Sequence, residues 1–73
     1  MNNKRTFDLK PNSEFIELMK LLKFEQVAQT GGHAKMLIEE GLVYVNKEQE
    51  FRKRRKLRKG DIITVEDISI EIQ

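Results

Sequence analysis

The chain contains no cysteine. That excludes a disulfide framework, a thiolate nucleophile and a cysteine-ligated zinc, so the fold has to stand on hydrophobic packing. There is a single histidine, His33, and without cysteine or a second imidazole no metal constellation can be assembled around it. No apolar run approaches the roughly 18 residues of a membrane-spanning helix, and Met1 to Lys10 lacks the apolar segment of a secretory signal. A soluble, cytoplasmic protein is expected. Internal repeats, low-complexity tracts and linkers are also absent, as is a Gly-rich run ending in Lys-Ser or Lys-Thr, the phosphate loop of nucleotide hydrolases. Ser13 and Ser69 have no matching base in the sequence. At 73 residues the length bounds the reading to one domain over 1–73, whose small core leaves function to its surface. The chain is expected to be no enzyme, with no cofactor, small-molecule substrate or membrane partner.

What the chain does have is segregated charge. The formal net charge is only +2. Residues 1–51 nevertheless carry seven basic and eight acidic side chains, residues 52–59 seven basic and no acidic ones, and residues 60–73 four acidic and no basic ones. One basic block, Arg52 to Lys59 broken only by Leu57, is hidden in the total.

"TFDLK" alternates Phe7 and Leu9 with polar neighbours and predicts a short strand closed by Pro11. "NSEFIELMKLLKF" predicts an amphipathic helix with Asn12 or Ser13 as N-cap and Glu14 in the first turn. Its apolar stripe is Phe15, Leu18, Met19 and Leu22, with Lys20 and Lys23 off it. "TGGHAKMLIEEG" predicts a second helix, capped by Thr30, with Ala34, Leu37 and Ile38 inward and Gly41 as the left-handed stop. Gly31 and Gly32 cost helix propensity there, on the order of 1 kcal/mol each against alanine in a helix interior and less in a first turn. They read either as a tight entry to the helix or as bare backbone whose N–H groups an anion can approach closely. Strands follow at "LVYVN", with Val43 and Val45 inward and Tyr44 outward, and at "GDIITVED" and "ISIEI" around a turn near Glu66 and Asp67. The class is α+β: two N-terminal helices on a small, mostly antiparallel sheet.

Run extended, the block would put Arg52, Arg54, Lys56 and Arg58 on one face, with Phe51 and Leu57 committed to the core as part of a packed hairpin. Four like charges on one face repel one another, and a polyanion relieves that cost. Four arginines against three lysines favour phosphate oxygens, which match the planar guanidinium fork. The rival readings are a solvated face, a nuclear-import string and an anionic membrane surface. The first normally mixes signs, the second prefers flexible segments, and the third wants interleaved apolar residues to insert. Duplex DNA binding lacks a recognition helix, since two glycines open the second helix. A protein adaptor whose basic hairpin docks on an acidic partner is the alternative from another class.

The order "TGGHAKMLIEEGLVYVN" and then "FRKRRKLRKGDIITV" resembles the S-four-type, or αL-motif, RNA-binding domain over about residues 14 to 66. Carrying the resemblance are Thr30, Ala34, Leu37, Ile38, Gly41, Val43, Val45, Asn46, the block Arg52 to Lys59, Gly60, Asp61, Ile63 and Val65. Its "TGG" before Ala-Lys is similar to a small stand-alone bacterial subgroup. The resemblance implies binding of structured RNA, ribosomal RNA first, on a ribosomal subunit or an assembly intermediate. It carries contacts over to Thr30 and Lys35 at the second helix, to Asn46 at the turn, and to Arg52, Lys53, Arg54, Arg55 and Lys56; the residues themselves add Gly31, Gly32 and His33 at the helix start and Arg58 in the basic block as candidates. The chain departs from the family pattern at Gly31, where an arginine is widespread, at Glu17 and Met19 in place of an Arg-Leu-Asp pattern, and at Lys47 for a turn glycine. These departures shift the expected burden onto the basic block. Reversal of Arg54 and Arg55 to Glu is expected to abolish binding and leave the fold intact.

Overall fold

Alternating β-branched residues and two short apolar stripes build the elements of this chain. The computed structural model describes residues 3–73. In chain order they are strand β1 (Asn3–Phe7), strand β2 (Ile16–Glu17), helix α1 (Leu18–Phe24), helix α2 (Gly31–Glu39), and strands β3 (Val43–Val45), β4 (Glu48–Gln49), β5 (Lys56–Leu57), β6 (Ile62–Val65) and β7 (Ile68–Ile72). Five strands form one sheet in the order β1-β7-β6-β3-β4, and β2 and β5 form a separate ribbon.

The period of two in "IITV" and "ISIEI" sends Ile63, Val65, Ile70 and Ile72 to one face, where all four are buried. β6 and β7 pair antiparallel around Glu66, whose φ of 55° makes the turn. β3 joins β6 with Val43 opposite Val65 and Val45 opposite Ile63. Asn46 and Lys47, at φ 52° and 73°, turn the chain from β3 into β4. Two consecutive left-handed residues match the twist of a two-residue hairpin loop, so the missing glycine at Lys47 does not prevent one. The helices cover this face: Leu18, Leu21 and Leu22 of α1 and Ala34, Leu37 and Ile38 of α2 share one core with the inward residues of β3, β6 and β7 and with Leu57. Gly41 ends the second helical segment at φ +77°, as its place after the last apolar residue predicts.

Three sequence expectations are corrected. The first strand is Asn3–Phe7 rather than Thr6 to Lys10, and it lies parallel to β7, with Asn3 opposite Ile68 and Phe7 opposite Ile72. The sheet is thus mixed, with one parallel pairing among otherwise antiparallel ones. Edge-to-face packing of Phe7 on Phe24, at 5.1 Å between centroids, and a bond donated by Arg5 Nη1 to the Glu25 carbonyl at 2.7 Å fix β1 to the end of α1.

The second correction is the start of α1. Asn12, Ser13 and Glu14 lie outside the helix, whose N-cap is Glu17 with no side-chain cap bond. Ile16 and Glu17 pair instead with Leu57 and Lys56. The N–H groups of Leu18 and Met19 donate to the carbonyls of Arg55 and Lys53, at 2.9 and 3.0 Å. Main chain from the basic block does the work of a cap, and Phe15 falls outside the apolar stripe, 36% exposed. The third correction concerns the block, which is not one long strand. Lys53 and Arg54 form a turn, only Lys56–Leu57 is extended ladder, and Phe51 is 55% exposed rather than in the core. Leu57 is buried as expected. Among the described residues no helix is long and apolar enough to cross a membrane.

Candidate nucleic-acid interface

Residues 50–61 form a loop pinned at its two ends by two acids, Glu50 and Asp61. Glu50 follows β4, and its N–H donates to the Val43 carbonyl at 3.0 Å, which carries it beneath the loop. The residue is only 6% exposed, alone among the polar and charged side chains of the described residues in being buried. Its carboxylate accepts from Arg52 three times, from the backbone N–H at 3.0 Å, Nε at 2.9 Å and Nη2 at 3.1 Å, and also from Arg55 Nη1. These bonds hold the Glu50 carboxyl down at about 2, the Arg52 side chain first among the causes, against the opposing effect of burial. The same pairing raises the Arg52 guanidinium above its ordinary range.

Asp61 closes the other end. It accepts from the Arg58 N–H at 2.8 Å and from the Asn46 side-chain amide at 3.0 Å, while Asn46 Oδ1 accepts from the Ile62 N–H at 2.9 Å. The Asn46 side chain is therefore engaged on both its donor and acceptor atoms. Arg54 reaches Glu17 at 3.4 Å. Lys53, Lys56, Arg58 and Lys59 have no ion-pair partner among the described residues. Lys56 and Arg58 lie over the Phe15 ring, 4.9 and 5.8 Å from its centroid.

At α2, Thr30 Oγ1 accepts from the His33 N–H at 3.0 Å, and His33 Nδ1 accepts from the Gln29 N–H at 3.3 Å. This is an N-cap with the imidazole folded back over it. Nothing in the fold requires glycine at the next two positions. A Cβ on Gly31 meets no atom within 4 Å, and one on Gly32 meets only Thr30 Oγ1 at 3.9 Å. The tight-entry reading of this pair therefore finds no steric basis. Lys35, one turn on from Gly31, is exposed.

The structure brings Arg52, Lys53, Arg54, Arg55, Lys56 and Arg58 into one loop at the start of α1. Thr30, Gly31, Gly32, His33 and Lys35 belong to the start of α2, which follows the opposite end of α1. Between the two sets run Lys20 and Lys23, both exposed on α1, and Lys23 lines a hollow with Gln26, Ala28 and Gln29. Sequence reasoning placed these lysines only off the apolar stripe. Their i, i+3 spacing was the available signal for a shared outer face. It missed Glu50 altogether, whose signal was an acid two residues ahead of the basic block.

Comparison with known proteins agrees with this architecture. Residues 9–73 match the family model described as the S4 domain. A relative from Bacillus subtilis (strain 168), "Probable ribosome maturation protein RlbA", is 42% identical over 55 residues, which is 75% of this chain and 78% of that protein. The solution structure of YbcJ from E. coli, described as revealing an αL motif involved in RNA binding, superposes with a TM-score of 0.69 at 36% identity, covering 99% of this chain and 90% of that one. With the family model matched over residues 9–73 and relatives of this identity covering most of the chain, the chain belongs to the S4 domain family.

Proposed function

We propose that this protein is a non-catalytic module that binds structured RNA, ribosomal RNA in particular, by its phosphate backbone and shape, and that it serves ribosome maturation. The observation that carries this reading is the anchored basic loop. Seven cations are concentrated in eight positions, and Glu50, Asp61 and the start of α1 hold their backbone in one geometry. Order matters because each side chain immobilised in advance costs less entropy on binding. Lys20 and Lys23 on α1, and Lys35 with the bare Gly31-Gly32 turn on α2, extend the surface. The names of the Bacillus relative and of the YbcJ structure support both the RNA and the ribosomal context.

The test is in-cell crosslinking of the tagged protein with sequencing of the attached RNA, using a Lys53→Glu/Arg54→Glu double variant as control. Both side chains are exposed, so the reversal leaves the core intact. The sequence-based choice of Arg55 is unsuitable, because a glutamate there would face the buried Glu50. Recovery of one ribosomal RNA helix, lost in the double variant, is expected. Crosslinking no stronger than in that variant would overturn the proposal and favour an acidic protein partner.

A further inference from the structure

The β2-β5 ribbon has two faces set by its register. Ile16 opposes Leu57, which is fully buried, and Glu17 opposes Lys56. Side chains alternate along a strand, so Phe15, Glu17, Lys56 and Arg58 share the outer face. There the Phe15 ring carries the Lys56 ammonium at 4.9 Å and the Arg58 guanidinium at 5.8 Å, and neither cation has an acidic partner among the described residues. Two like charges share one ring, and the aromatic surface is in reach of solvent. Arg58 also lines an open groove with Asp8, Lys10, Glu14, Lys59 and Gln73.

Resting on the RNA-binding reading above, we infer that Phe15 is a stacking platform for one unpaired base of the bound RNA, with Lys56 and Arg58 taking the phosphates that flank it. The two cations have no fixed anchor. An exposed cation held over a ring gains less than a base stacked on the same ring. A nucleotide arriving at Phe15 therefore displaces the cations from the ring and supplies the anion that each of them lacks. Such contacts select an unstacked nucleotide in a bulge, a loop or at an end, where a base is free to leave its helix. They are tolerant of base identity because every base has a π-face. The platform thus restricts the RNA to one with an unpaired position beside a helix, which phosphate contacts alone do not do.

The experiment uses the full chain and two RNA hairpins that differ only by a single bulged 2-aminopurine, which reports stacking through its fluorescence. The wild type is expected to bind the bulged hairpin about tenfold more tightly and to quench its fluorescence. Phe15→Leu is expected to bind both hairpins as the wild type binds the paired one, and Phe15→Tyr to keep the preference. Circular dichroism checks that both variants fold, and Tyr keeps the test decisive should Leu not. Equal binding of both hairpins by the wild type, or a loss with Phe15→Leu that is the same on both, overturns the platform while leaving RNA binding standing. Failure of the wild type to bind either hairpin at low salt overturns the RNA-binding reading and the platform with it.

Discussion

Replacing Glu50 with glutamine preserves the shape of the side chain and removes the charge that Arg52 and Arg55 share. The fall of its carboxyl from 4.5 to about 2 sets a ceiling of about 3 kcal/mol on what the ionised form contributes. Arg52 is 73% exposed at its side chain, so solvent screens part of that, and a loss of about 2 kcal/mol is expected. In a domain of this size that corresponds to a fall in Tm of about 10 °C. The pH dependence carries the stronger test. Because the folded value lies below the unfolded one, the contribution is fully present above about 4.5 and is lost as pH falls toward about 2. Urea denaturation of both proteins at pH 7, 4 and 3 should therefore show a gap that is largest at pH 7 and narrows at each step. A gap that does not change with pH, or one below about 0.5 kcal/mol at pH 7, would refute the idea that the buried carboxylate anchors the loop through its charge.

At Gly31 and Gly32, alanine should leave stability unchanged or raise it by up to about 1 kcal/mol each, since nothing obstructs a Cβ, while weakening RNA binding. Binding that is unaffected would remove this turn from the interface. Gly41→Ala should act in the opposite way, costing about 1–2 kcal/mol in thermal denaturation because φ is +77° and the Cβ would fall 2.6 Å from Gln49 Nε2. Lys20→Gln/Lys23→Gln should flatten the log–log salt dependence of RNA affinity by about two phosphate contacts, with a slope near −0.9 for each on a duplex, and leave the melting temperature in place. An unchanged slope would confine the interface to the basic loop and the start of α2.

The local patterns were legible because short-range rules govern them. Thr30 caps α2 through the N–H three residues on, Gly41 takes the left-handed stop, and Ile63, Val65, Ile70 and Ile72 point inward at period two. The concentration of cations at residues 52–59 needed only counting. Where the reading failed, a distant partner outweighed a local preference. Phe15 fits the apolar spacing of a helix, yet Ile16 and Glu17 are drawn into pairing with Leu57 and Lys56 some 40 residues later, and the helix cannot begin until Leu18. Phe51 fits an alternating strand, yet the turn at Lys53 and Arg54 leaves it exposed.

The sequence by itself determined the class of the fold, most of its core and the sign of its surface, since these follow from periodicity and charge count. Only the tertiary structure decided how the cations are held. Glu50 becomes an anchor when β4 carries it under the loop, the start of α1 is capped by the carbonyls of Lys53 and Arg55, and β1 finds its place from residue 3 to residue 68. The physical reason is common to all three: a buried charge, an unsatisfied helix end and an open strand edge each require a partner, but the requirement does not say which residue of the chain will meet it.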